Sequence, residues 1–161
     1  MFPVFLDIIA MNAQKNTFLF SWNPIKFNWP EIGEQAELLR NGGKVEESWT
    51  CASHKKVKPG DRAFISVVGV KQRGLFASGN ISSEPFIGRN RKGNDAYRVM
   101  IDLDVLLDPA TESILTLDIL ALGRMEKQLW TPQASGILIR PELVEELEAL
   151  WQDFLSTREE S

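Results

Sequence analysis

Apolar positions fall into strand-length runs through most of the chain, with helical spacing near residue 30 and at the C-terminal end. Thr17 to Trp22 is aromatic, β-branched and uncharged, the pattern of a buried strand, and Asn23-Pro24 stops it because proline has no N–H to pair. Pro30 suits the first turn of a helix whose Ile32, Ala36 and Leu39 share one face and which Asn41-Gly42-Gly43 terminates. Ser48 to Ser53 follows, then the tight turn Lys58-Pro59-Gly60-Asp61, then an alternating strand from Arg62 to Val70. Gly69 to Gly74 predicts a hairpin returning along Leu75 to Ile81. This pair is expected at the sheet centre, with Gly79 at a bulge or a close backbone approach. Gly88 to Asn94 is polar and basic and reads as a mobile loop, whereas Tyr97 to Leu107 alternates as a strand and ends at Asp108-Pro109. Ser113 to Arg124 and Pro141 to Phe154 predict helices. The second aligns Leu143, Leu147, Leu150, Trp151 and Phe154, with glutamates at the exposed positions.

At 161 residues and 43% hydrophobic, the chain has the size and apolar content of one α/β (α+β) domain. Residues 17–156 are taken as that domain, 1–16 as an accessory segment and 157–161 as a polar tail. No run approaches the ~18 apolar residues of a membrane span. Met1 to Met11 carries Asp7 and lacks a basic lead, so a cytoplasmic location is expected and no membrane partner. A single cysteine, Cys51, and a single histidine, His54, exclude an intramolecular disulfide and argue against a Cys/His zinc site; neither cofactor nor metal is expected. The net charge of −4 conceals a basic middle: Arg40 to Arg98 holds twelve Lys/Arg against five Asp/Glu, leaving six and seventeen elsewhere. Such a block can present a positive face to phosphates on an acidic protein.

Trp22, Trp29 and Trp49 cluster in the first third of the sequence beside turns, where aromatic side chains are placed to line a cleft. Every nucleobase has a stackable face, worth about 1–3 kcal/mol per base, and nearby amides and hydroxyls can read its polar edge. Taken singly, a tryptophan belongs more often to a core, the reading assigned to Trp151. Catalysis is not expected. His54 sits in a Lys-rich loop, no glycine-flanked nucleophile serine or phosphate loop occurs, and the spacing of Cys51 and His54 reflects local sequence. Asp102 and Asp104 lie on one side of a strand and read as solvent-facing charges rather than metal ligands.

Several segments, in order, resemble the EVE family of the PUA-like superfamily, which is related to the SRA and YTH modified-base readers. They are the strand ending Trp22-Asn23-Pro24, Trp49, Lys58-Pro59-Gly60-Asp61, Gly74 to Gly79 leading to Ser83-Glu84-Pro85, Asp104 to Pro109, and Trp130 to Ile137. The resemblance covers about Thr17 to Trp151 and implies a curved sheet or small barrel of about five or six strands flanked by helices. It also implies non-catalytic recognition of a modified base, modified cytosine in DNA first, flipped into an aromatic pocket. Trp22, Trp29 and Trp49 are then the pocket walls, with Asn23, Ser48 and Thr50 at the rim and Gln133, Ser135 and Gly136 as edge contacts. Where related sequences often carry a histidine and a tryptophan after Ser-Glu-Pro, this chain has Phe86 to Lys92. Lys55, Lys56, Arg73, Arg89, Arg91 and Lys92 are candidate phosphate contacts. A nuclease, fused or separate, is the partner the family implies. The alternatives are an RNA-binding PUA-like module and a protein-interaction domain using the acidic C-terminal helix.

Overall fold

In strand β1 (Thr17–Trp22), Phe18, Leu19 and Phe20 are fully buried, so both its faces are covered. The computed structural model describes residues 15–90 and 92–160; the accessory segment expected over 1–16 therefore lies, but for its last two residues, outside the described residues. After β1 come helix α1 (Ile32–Arg40), β2 (Val45–Thr50), β3 (Arg62–Val67), β4 (Gly74–Ile81), β5 (Phe86–Arg89) and β6 (Asp95–Leu106). The chain continues through β7 (Leu115–Thr116), α2 (Leu117–Leu120), β8 (Ile137–Leu138) and the terminal helix α3 (Val144–Glu160).

The architecture is α+β, a curled mixed half-barrel sheet with helices against it. Six strands follow the order β2-β6-β4-β3-β1-β8, with β5 added to β6 and β7 to β4. The β3–β4 hairpin is central, and β1 joins β3 in parallel, Thr17 opposite Arg62 and Trp22 opposite Val67. β6 spans 12 residues and serves three partners: β2 along one side, β4 and then β5 along the other. That sharing bends the sheet.

Gly79 shows why the curl needs a glycine. The β4–β6 register shifts between Ser78 and Gly79, leaving Asp104 as the extra residue of a bulge, and a Cβ on Gly79 would stand 2.5 Å from the Asp102 carbonyl oxygen. The bulged Asp104 accepts the Ser78 hydroxyl at 2.6 Å and Arg62 Nη1 at 2.7 Å, while Ser78 accepts the Trp151 indole N–H at 3.0 Å. Arg62 also donates to Glu148, so α3 is bolted to the sheet at two points, with Leu143, Leu147 and Trp151 fully buried beneath it. Asp104 is thus the bulged residue itself and Asp102 pairs with Asn80 beside the bulge.

Three local expectations change, and one short strand is added. The loop expected over Gly88 to Asn94 is shorter, because Gly88 and Arg89 belong to a hairpin strand: Phe86 to Arg89 pairs with Asp95 to Arg98, and Gly93 turns the chain at φ +82°. The helix expected over 113–124 breaks into β7, which takes the edge of β4, one turn of α2 and a 3₁₀ segment at Gly123–Lys127, with Gly123 at φ +62°. β8, unmarked by any pattern, adds antiparallel to β1. The polar tail expected from residue 157 continues α3 through Glu160, where Arg158 Nη2 reaches Glu112 at 2.9 Å. Among the described residues no helix is long and apolar enough to cross a membrane.

Candidate functional site

Trp22 ends β1, Trp29 lies in the connection to α1, and Trp49 projects from the edge strand β2, so three separate pieces of chain bring the indoles together. Their centroids are 5.4 Å apart from Trp22 to Trp29 and again from Trp29 to Trp49, both edge to face, and Phe76 of β4 lies beneath at 5.4 Å from Trp22. The cluster is packed without being closed. Trp29 is 8% exposed and forms the floor, whereas Trp22 and Trp49 are half-buried and line an open cleft of about 1160 Å³. Each indole N–H is already donated within the protein: Trp22 to Phe27 O (2.8 Å), Trp29 to Gln35 Oε1 (2.7 Å) and Trp49 to Ser21 O (3.1 Å). The rings therefore offer a ligand their surfaces only. Trp130 is different: it is buried and donates to Met125 O at 2.8 Å, a core residue.

Of the rim and edge residues expected from sequence, Asn23, Ser48, Thr50, Gln133 and Ser135 all line the cleft. Asn23 Oδ1 accepts the Ile25 and Lys26 N–H groups and so shapes the turn at the mouth, an Asx turn that leaves Ile25 77% exposed. Ser135 Oγ accepts the Ser21 N–H at 3.1 Å, and Gln133 is exposed in the lining. Gly136 does not belong to the cleft. It is buried at φ +82°, a Cβ there would lie 2.7 Å from Cys51 Cα, and its N–H and carbonyl are used by Leu19 and Ser53. Its role is to let β8 approach the turn after β2, which corrects the expected edge contact.

Among the candidate phosphate contacts, Arg73 and Lys92 line the cleft. Lys55 and Lys56 are exposed on the turn after β2 and outside it, and Arg89 turns back to Gly93 O at 2.8 Å. Arg91 lies outside the described residues.

Pattern reading missed other residues of the wall, among them the charged Lys26, Glu31, Glu47 and Arg98. Arg98, on β6, directs all five guanidinium N–H groups at neutral oxygens. Nε and Nη2 donate to Ser48 Oγ (3.1 and 3.0 Å), Nη2 also to Ser48 O (2.9 Å), and Nη1 to Thr50 Oγ1 and Arg89 O (3.0 Å each). None of the ion pairs among the described residues includes Arg98, and burial pulls its pKa below the usual guanidinium value. It is a fixed positive charge that forms no ion pair among the described residues. Its signal was absent from the sequence because Ser48 becomes its neighbour only through β2–β6 pairing, fifty positions away. The cleft thus sets Lys26, Arg73, Lys92 and Arg98 against Glu31 and Glu47.

Cys51 and His54 face different surroundings. The thiol is buried, and desolvation, only partly opposed by a hydrogen bond to the Ser53 backbone, pushes its pKa up to about 11. His54 instead stacks on Tyr97 with centroids 3.8 Å apart.

No protein-family model matches the sequence, and no curated protein does. Solved structures match in shape. A hypothetical protein from Leishmania major superposes with a TM-score of 0.63 at 12% identity, covering 88% of this chain and 97% of its own. Structural-genomics targets from Pseudomonas syringae (TM-score 0.56, 13% identity) and Pseudomonas putida (0.53, 16%) each cover 83% of this chain and 98% of theirs. At these identities the likeness is one of fold.

Proposed function

We propose that this chain is a non-catalytic, EVE-type reader that holds a modified nucleobase, modified cytosine in DNA first, against its tryptophan cleft. The observation that carries the reading is the convergence of Trp22, Trp29 and Trp49 on one open cleft rimmed by Lys26, Arg73, Lys92 and Arg98. Apolar ring faces whose N–H groups are internally satisfied suit stacking, which is indifferent to base identity, and leave edge recognition to other side chains. The volume, about 1160 Å³, exceeds the usual ~300–1,000 Å³ of a small-molecule pocket, so there is room for a base with its sugar and a flanking phosphate. Basic residues at the rim and aromatic rings inside match the two ends of such a nucleotide. Extruding a base costs a few kcal/mol, and stacking together with edge contacts would offset it.

Titration of tryptophan fluorescence with short duplexes carrying plain, methylated or hydroxymethylated cytosine tests the reading, because the responding rings line the site. Tighter binding of a modified duplex, weakening steeply with salt as phosphate contacts require, is expected. Equal and weak binding to all three removes the reader. Preference for single-stranded RNA over duplex DNA in competition transfers the same cleft to an RNA ligand. Salt-insensitive binding of a protein partner, with no nucleic-acid response, would favour the interaction-domain alternative.

A further inference from the structure

The base-reader proposal leaves open what distinguishes one base from another, since the indoles donate nothing to the ligand. A hydrogen-bond relay beside them supplies a polarity. Trp29 Nε1–H can only donate, and it donates to Gln35 Oε1 at 2.7 Å; the Gln35 amide is thereby oriented with its NH₂ toward Glu47, donating from Nε2 to Oε1 at 2.8 Å. One carboxylate oxygen of Glu47 is anchored by this chain, while Oε2 has no hydrogen-bond partner among the described residues. Glu47 lies two residues before Trp49 on β2, so both side chains leave the same face of the strand, and both line the cleft.

We infer that Glu47 is the specificity-determining residue of the cleft, accepting a hydrogen bond from the exocyclic amino group of the bound base and so selecting cytosine-type bases over thymine or uracil. This deepens the base-reader proposal and rests on it. 5-Methylcytosine and thymine have the same shape and both carry the 5-methyl group; at position 4 one presents an amino donor and the other a carbonyl. A carboxylate oxygen satisfies the first and repels the second. Bringing thymine into the cleft would set two acceptors against each other, and a site built around one hydrogen-bonding partner rejects the isostere that cannot supply it. The relay matters because it holds the acceptor in place before the ligand arrives. The indole that forms the floor is the same group that sets the Gln35 amide, so stacking surface and edge reader are positioned as one unit.

The test compares the full chain with E47Q on two duplexes, one bearing 5-methylcytosine and one thymine, each opposite an abasic site so that neither has a pairing partner to lose. The unmodified protein is expected to prefer 5-methylcytosine by roughly tenfold or more, the scale of one good edge contact. In E47Q the side-chain oxygen keeps the Gln35 contact and the amide NH₂ faces the cleft as a donor. The preference is expected to shrink at least to parity, with an absolute gain in thymine binding. Should E47Q fold poorly by circular dichroism, E47A provides the second readout and is expected to lose the preference without gaining thymine affinity. If the native protein binds both duplexes equally well, or if neither variant changes the ratio, the role of Glu47 is overturned while the reader stands. If it binds neither duplex, the reader falls too.

Discussion

Replacing Arg98 by methionine probes the cleft wall directly, since the stem stays and only the guanidinium goes. Five N–H donors, at 2.9–3.1 Å, then leave Ser48, Thr50 and the Arg89 carbonyl. A net value of about 1 kcal/mol per bond gives a gross loss of ~5 kcal/mol. Against this stands the relief of desolvating a charge that forms no ion pair among the described residues, several kcal/mol in buried cases but less here because the side chain is only partly buried. The freed hydroxyls of Ser48 and Thr50 are also half-exposed and can turn to water. The balance is a loss of about 2 kcal/mol, or roughly 4–8 °C in Tm for a chain of this size. Because the bonds tie the edge strand β2 and the β5 hairpin to β6, the loss is expected to be local: amide exchange should quicken over Glu47 to Thr50 and around Arg89, while Phe64 and Ile65 in β3 hold their protection. R98K, which keeps the charge but not the planar fork, should recover less than half of the stability. Denaturant unfolding and hydrogen exchange supply the readouts. An R98M protein as stable as the parent, with unchanged exchange in β2, would refute the view of Arg98 as the bolt of this wall.

Three further substitutions and reactions extend the argument. Burial alone would raise the pKa of Glu112, but the Asp108 N–H, Arg40 and Arg158 outweigh it and hold the carboxyl below its ordinary 4.5. A depressed folded-state pKa contributes stability above 4.5 that is lost as pH falls through the lower value. E112Q should thus cost on the order of 1 kcal/mol at pH 7, a deficit that closes in acid when unfolding is followed against pH. Cys51, pushed up to about 11, should resist a thiol reagent at pH 8 in the native protein and react promptly in denaturant; equal rates in both would show the burial to be wrong. S78A strands the buried Trp151 N–H and removes a partner from Asp104, for a loss of about 1–3 kcal/mol in denaturant unfolding, whereas a neutral result would mean water or a shifted side chain replaces the hydroxyl.

What the sequence determined by itself is the material along the central strands and helices, where neighbours in the chain carry the signal. The uncharged run at β1, the Pro-Gly turn before β3, the glycines bounding the β3–β4 hairpin and the apolar face of α3 each follow from local periodicity and backbone chemistry, and each is found. The glycine inside the β4 pattern, Gly79, points to a bulge or close approach for the same reason, and the bulge is there. Contacts of pairing and edge lay beyond such reasoning. β7 and β8 are two residues each and exist because a neighbouring strand has an open edge, and the Phe86 hairpin forms because β6 extends past the end of β4. The cleft divides the same way. Its tryptophans announced themselves by type and by their turns, but their depth, their spent N–H groups and the burial of Gly136 were decided by packing. Glu47 and Arg98 looked like ordinary strand charges. Only cross-strand register sets Arg98 on Ser48, and only the fold of α1 over β2 hands the Trp29 N–H through Gln35 to Glu47. Hydrogen-bond geometry is a property of distances between distant residues, and distances are what folding adds to a sequence.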